Sequence, residues 1–274
     1  MSTISNTGII IVGHGSPNLI ANQQFIALAD RFKRINKEFE VTHAFLENQK
    51  PGFGEGVEAL LNKGISDIIV LPAFLFTGLH VSHDIPLLFK QIKERYSHLS
   101  IRMAREIGYA EPLFKLLESR IANLIAQGNE MHGTVNQTVI LVSVGASVPM
   151  AVNDFKRVIN RLEEKFMAVK FQEAYIGRQV YPEYSEALAN VIQAGTDDIV
   201  VQPVLLFGGY YYDTIRKISA SAIMKYNRSI MVGDVLSSEP EIGLVLKNRL
   251  QEVLNGDIDL IEALPESAEA RRNF

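Results

Sequence analysis

The sequence predicts an α/β protein made of two tandem similar domains, each a small parallel β-sheet flanked by helices. Three observations predict this. Short apolar runs alternate with amphipathic stretches along the whole chain, the signature of βαβ units and a parallel sheet. At 274 residues the chain is long enough for two separate cores. The sequence also repeats itself: at an offset of 130 residues, Ile9-Ile10-Ile11-Val12-Gly13-His14-Gly15-Ser16 falls on Val139-Ile140-Leu141-Val142-Ser143-Val144-Gly145-Ala146, Phe25 on Phe155 and Ala44 on Ala174. One further residue lays Leu71-Pro72-Ala73-Phe74-Leu75-Phe76-Thr77-Gly78 on Gln202-Pro203-Val204-Leu205-Leu206-Phe207-Gly208-Gly209.

In the first half, strands are predicted at Gly8–Val12, Val41–Leu46, Asp67–Phe74 and Ser100–Ala104. Helices fall between and after them near Asn18–Asn36, Phe53–Asn62, Ile85–Tyr96 and Glu111–Ala126. Lys63-Gly64 and Gly195 stop equivalent helices in the two halves, as C-terminal glycines commonly do. The second half repeats the order with strands near Gln137–Ser143, Ala168–Tyr175, Asp198–Leu206 and Ser229–Gly233, and a last helix at about Glu239–Leu254. The turn formers of Gly128-Asn129-Glu130-Met131-His132-Gly133 place the boundary between an N-terminal domain, 1–132, and a C-terminal one, 133–264. Residues 265–274 read as a charged tail too poor in apolar side chains to pack.

Composition narrows the function. A net charge of −4 argues against nucleic acid as the main partner, and no apolar stretch approaches the length of a membrane span. The polar Met1–Thr7 segment lacks the features of an export signal, so a cytoplasmic location is expected. With no cysteine, any metal must be held by nitrogen and oxygen. No Walker motif or complete dinucleotide fingerprint is present: Gly13-His14-Gly15 begins like the latter, but Asn18 stands where the third glycine should be. Ser16 also lacks the Gly-x-Ser-x-Gly elbow of a serine hydrolase.

Ligands of open parallel sheets bind outside the carboxyl ends of the strands. Three polar residues are expected at that edge: His14 after the first strand, Glu47 after the second, and His80 a few residues beyond the third. Glycines frame His14 and leave room around its ring, while Ser16 is suited to cap the next helix with Pro17 at its first position. The alternative is a tight turn with an incidental histidine. His80 and His83 are three residues apart, so both rings share a face if Val81–His83 begin a helix. For His83 a capping role or one behind the ligands serves equally well, and Asp84 is expected to help start the helix. His43 reads as a packed or surface residue, and His98 and His132 as surface residues. The second half has Val144 and Tyr211 opposite His14 and His80, so the duplication picks those two from six histidines. Paired imidazoles with a carboxylate suit Fe²⁺, Co²⁺, Ni²⁺ or Zn²⁺.

The Val-Gly-His-Gly-Ser turn, the Phe-Leu-Glu strand end and Gly-Leu-His-Val-Ser-His-Asp-Ile-Pro together resemble the sirohydrochlorin chelatases. These are the class II chelatases of siroheme and cobalamin synthesis, of the SirB and CbiX types. The resemblance runs through both halves and implies the long two-domain form, its halves related by pseudo-two-fold symmetry. It implies ATP-independent insertion of a divalent metal into sirohydrochlorin; the long, cysteine-free form without a histidine-rich tail puts Fe²⁺ slightly ahead of Co²⁺. The metal is then a substrate, and no cofactor is permanently bound. His14 would be proton acceptor and metal ligand, and His80 the second ligand. Glu47 and the loop Leu75-Phe76-Thr77-Gly78-Leu79-His80 would lie against the tetrapyrrole. The second half is expected to form the other wall of a cleft, through Tyr210 to Tyr212 and Arg178; the alternative is a purely structural partner. A monomer would already supply two lobes. The rival readings are a non-catalytic metal or tetrapyrrole carrier and a metal-dependent hydrolase.

Overall fold

The structure, a computed structural model, describes residues 6–76, 80–108, 110–132, 137–145, 149–177, 180–195 and 198–257. Strand β1 (Thr7–Gly13) lies at the centre of the first sheet with all seven residues buried. Its aliphatic run Ile9–Val12 is usable only where helices cover both faces of a sheet. It pairs in parallel with β2 (Glu40–Phe45) on one side and β3 (Asp67–Pro72) on the other; β4 (Ser100–Met103) extends the order to β2-β1-β3-β4.

The second sheet is built the same way. Strands β5 (Gln137–Val144), β6 (Lys170–Ile176), β7 (Asp198–Pro203) and β8 (Ser229–Val232) lie in the order β6-β5-β7-β8. Val12 faces Ala44 and Pro72, and Val142 faces Ala174 and Pro203, so the sequence repeat is also a register repeat. Its one-residue step falls between β6 and β7.

Helices α1 (Leu19–Ile35), α2 (Phe53–Leu61) and α3 (Ile85–Arg95) connect the first four strands, and α4 (Glu111–His132) leads to β5. Helices α5 (Pro149–Lys165), α6 (Tyr184–Gln193) and α7 (Tyr210–Tyr226) connect the second four, and α8 (Pro240–Leu254) closes the described chain. On one face of the first sheet Ile10, Val12 and Val70 pack with Val57, Leu60, Ile85 and Phe89. In the second sheet Ile140, Val142 and Val201 pack with Tyr184, Leu188 and Ile215. No helix among the described residues is long and apolar enough to cross a membrane.

Two expectations are corrected. The third strand ends at Pro72 rather than Phe74, because the chain turns off to bond the loop after β4: Ile107 N–H donates to the Phe74 carbonyl at 2.9 Å and Gly108 N–H to that of Leu75 at 2.7 Å. Helix α4 does not stop at Ala126 but runs through the expected boundary loop to His132. Gly128 lets it pass close by, since a Cβ there would lie 2.8 Å from both Gln137 and Met231. One compact unit holds β1–β4 with α1–α3 and α8 from Ile242 onward; the other holds α4 with β5–β8 and α5–α7. The repeat divides the sequence near residue 132, but packing divides it after Gly108 and after Glu241. Helix α4 buries Leu113, Leu117 and Ile121 and packs on β7. Arg249 of α8 donates to the carbonyls of Glu106 and Ile107 at 2.9 and 3.0 Å.

Candidate active site

The first sheet places His14 one residue past β1, exposed at the carboxyl edge. Its Nδ1–H donates to the Gly15 carbonyl at 2.9 Å, which selects the tautomer with the lone pair on Nε2. A metal-binding imidazole is commonly oriented in this way, one nitrogen held by a carbonyl and the other presented to the metal. Gly15 adopts φ +86°, and a Cβ on it would fall 1.8 Å from the Glu47 carbonyl oxygen. Both the left-handed backbone and the close approach require glycine.

That approach brings the end of β2 against the turn. Leu46 N–H donates to the Gly13 carbonyl at 3.0 Å and Glu47 N–H to the His14 carbonyl at 2.9 Å. His14 and Glu47, distant in sequence, are thus hydrogen-bonded neighbours, both with exposed side chains. Phe74, Leu75 and Phe76 follow β3 at the same edge and are half-buried, with the Phe74 and Leu75 backbones pinned as described. Thr77, Gly78, Leu79 and the His80 side chain lie outside the described residues. Among the described side chains, no three of His, Asp and Glu gather into a metal-binding group.

The His80–Asp84 backbone forms a π-helical turn that runs straight into α3. Such turns are rare and frequently lie at functional sites. His80 and His83 would share a face at α-helical spacing, which the wider π turn does not provide. His83 Nδ1 lies 3.0 Å from Asp84 Oδ1. Asp84 occupies the cap position of α3 without a side-chain capping bond, and its carboxylate pairs with His83. His43 is packed: its ring meets those of Phe25 and Phe45 edge-on, each at 5.9 Å, and burial lowers its pKa.

Capping of α1 is also corrected. Asn18, not Ser16, is the N-cap, accepting from Ile20 N–H and Ala21 N–H, while Ser16 Oγ accepts from Asn18 N–H. Sequence reasoning passed over Asn22, which is 6% exposed. Ser16 N–H donates to Asn22 Oδ1 at 2.9 Å, and Asn22 Nδ2–H donates to the Ser16 carbonyl at 2.7 Å. Gln49 Nε2–H reaches the same carbonyl at 3.3 Å. The repeat held the signal, since Asn22 aligns with Val152.

In the second unit the same edge carries different chemistry. Gly177 aligns with Glu47, and the Tyr211 ring covers it so closely that a Cβ there would lie 2.6 Å from the ring. Tyr212 Oη–H donates to Asp234 Oδ1 at 2.7 Å, and burial with this contact pushes its pKa up to about 12. Of the three tyrosines expected to face a ligand, Tyr211 and Tyr212 have these contacts inside the unit, and Tyr210 is 75% exposed. Arg178 lies outside the described residues.

Comparison with known proteins decides the family. The CbiX family model matches residues 8–124 and, a second time, residues 138–253. The chain belongs to the CbiX family. Among CbiX relatives, the sirohydrochlorin cobaltochelatase of Priestia megaterium is 25% identical over 255 residues, covering 92% of this chain and 81% of its own. The sirohydrochlorin ferrochelatase of Bacillus subtilis is 25% identical over 244 residues, covering 89% and 90%. In structure the chain is similar to SirB from Bacillus subtilis with Fe³⁺, at a TM-score of 0.79 and 24% identity over 93% of this chain and 99% of the other. That likeness establishes the tandem α/β chelatase fold, and the double match of the family model agrees with the repeat in sequence and register.

Proposed function

We propose that this CbiX-family chain is a sirohydrochlorin metallochelatase, inserting Fe²⁺ or Co²⁺ into sirohydrochlorin without ATP. The carrying observation is the His14 turn: an exposed imidazole whose Nδ1–H is held by the Gly15 carbonyl, bonded through its backbone to Glu47. The relatives' activities support the reaction class, and one relative of each metal type stands at the same identity, so both metals are retained.

Metal entry requires two pyrrole N–H protons to leave. A neutral imidazole can hold the incoming metal through its Nε2 lone pair and, once the metal has passed to the macrocycle, accept one of the two protons there, the other leaving to solvent water. His14 takes these roles and His80, at the start of the π-helical turn, is the second ligand. A site with few nitrogen and oxygen donors releases the metal to the macrocycle more readily than a closed four-ligand site would. Glu47 and the segment 75–80 lie against the tetrapyrrole, and His83 acts behind the ligands, paired with Asp84. The metal is substrate, and no resident cofactor is required. The protein works in the cytoplasm as a monomer with a small-molecule substrate, without nucleic acid or membrane.

Anaerobic assay of sirohydrochlorin with Fe²⁺ or Co²⁺, followed by the macrocycle's absorption, tests the proposal. Wild-type chain is expected to accelerate the change, and His14→Ala to abolish it while keeping the wild-type circular dichroism. Near-normal turnover in His14→Ala refutes the role of His14. Binding of sirohydrochlorin without acceleration by the wild type makes the protein a carrier. A tightly retained metal with hydrolytic activity favours the hydrolase.

A further inference from the structure

Helix α1 carries a buried asparagine in its first turns, where an apolar residue would be expected. Asparagine is a poorer helix former than alanine, and a buried carboxamide is costly unless bonded. The Asn22 carboxamide makes two bonds to a single residue, Ser16: one accepted from its N–H and one donated to its carbonyl. Ser16 is the second residue after His14, and the intervening Gly15 sits at φ +86°. Glycine gives that turn its shape but also the freedom to leave it. The carboxamide suits the clamp because it offers an acceptor and a donor at once, whereas a carboxylate can only accept.

The chain contains its own control. Helices α1 and α5 are both 17 residues long and begin at equivalent positions. Phe25 meets Phe45 at 4.9 Å, and its counterpart Phe155 meets Tyr175 at 5.5 Å. Packing of the helix on the sheet is therefore preserved with Val152 in place of Asn22. The asparagine is absent where Val144 stands in place of His14.

We propose that Asn22 is a positioning residue for metal insertion: by clamping the Ser16 backbone it holds the glycine-framed turn that aims the His14 imidazole. This rests on the chelatase reading of the same site. Asn22 bonds Ser16 rather than His14, so it acts through the turn that carries the imidazole.

The test compares wild type, Asn22→Val, Asn22→Asp and His14→Ala by thermal melting, by Co²⁺ binding to the metal-free protein, and by kcat and KM for sirohydrochlorin. Asn22→Val is expected to melt with the wild type yet lose ~10–100-fold in kcat and in Co²⁺ affinity, as losses of residues supporting a metal ligand commonly do. Its KM for sirohydrochlorin should not change. Asn22→Asp, which keeps the bond from Ser16 N–H, should fall between it and the wild type. Wild-type kcat and Co²⁺ affinity in Asn22→Val overturn the proposal. A fall in melting temperature matching the loss of turnover also overturns it, because the role would then be structural. Failure of the wild type to insert metal refutes the chelatase reading instead, and Co²⁺ affinity then decides the role of Asn22.

Discussion

Gly15→Ala puts the geometry of the His14 turn under the most direct strain. The new Cβ would stand 1.8 Å from the Glu47 carbonyl oxygen, where contacts under 3.0 Å are essentially never seen. The obstacle is backbone, so no side-chain rotation relieves it, and the two strands' ends must separate by about 1 Å. That movement disrupts two bonds, Glu47 N–H to the His14 carbonyl at 2.9 Å and Gln49 N–H to the Glu47 carbonyl at 2.7 Å. At about 1 kcal/mol each they contribute about 2 kcal/mol, and the left-handed backbone of a residue with a Cβ adds roughly 1–2 kcal/mol. The expected loss is ~3–4 kcal/mol, a large share of a typical stability of ~5–15 kcal/mol. In urea, with an m-value of about 2 kcal/mol/M, it appears as a midpoint shift of roughly 1.5–2 M, together with loss of metal insertion. Gly145→Ala in the second unit provides the comparison. Its Cβ would lie 2.5 Å from the Gly177 carbonyl, but its backbone is not left-handed. It should cost less and spare insertion. An unshifted midpoint with full turnover in Gly15→Ala would refute the reasoning.

Other expectations concern the same unit. Arg249→Ala should destabilise by about 2–4 kcal/mol, since it leaves the Glu106 and Ile107 carbonyls and Glu252 without a buried guanidinium. Hydrogen exchange at the Ile107 and Gly108 amides should quicken, and unchanged protection would argue against the tie between α8 and that loop. Burial lowers the His43 pKa below its ordinary value of about 6.5, opposed by Asp30 and assisted by Lys33. The folded state therefore favours the neutral ring. Its contribution is complete above about pH 6.5 and is eroded as pH falls from there toward the folded pKa. His43→Leu should flatten the decline in unfolding free energy between pH 7.5 and pH 5; an equally steep decline would show that other groups control it.

Strands were legible because a doubly covered parallel sheet demands aliphatic runs, and Ile9–Val12 has no other good use. The duplication made the site legible too, since His14 and His80 stand where the second half has Val144 and Tyr211. Asn18 was hidden by the motif it breaks: read as a missing glycine, it is the cap of α1. Gly128 looked like a helix stop because sequence cannot distinguish a glycine that ends a helix from one that admits a close neighbour. The partner of α4 was illegible for a related reason. Both sheets have the same strand order, and an amphipathic face does not record which of two similar sheets it covers.

The placement of α8 has a consequence for the order of synthesis. The unit bearing His14 begins at the N-terminus, yet its packing includes Val245, Leu246 and Leu250, among the last described residues of the chain. At typical translation rates, on the order of ten seconds separate emergence of β4 from that of α8. The other unit, contiguous in sequence, can complete itself in that interval. A chain cut short just before Ile242 would retain every residue of the His14 turn and still lack a wall of the unit that holds it.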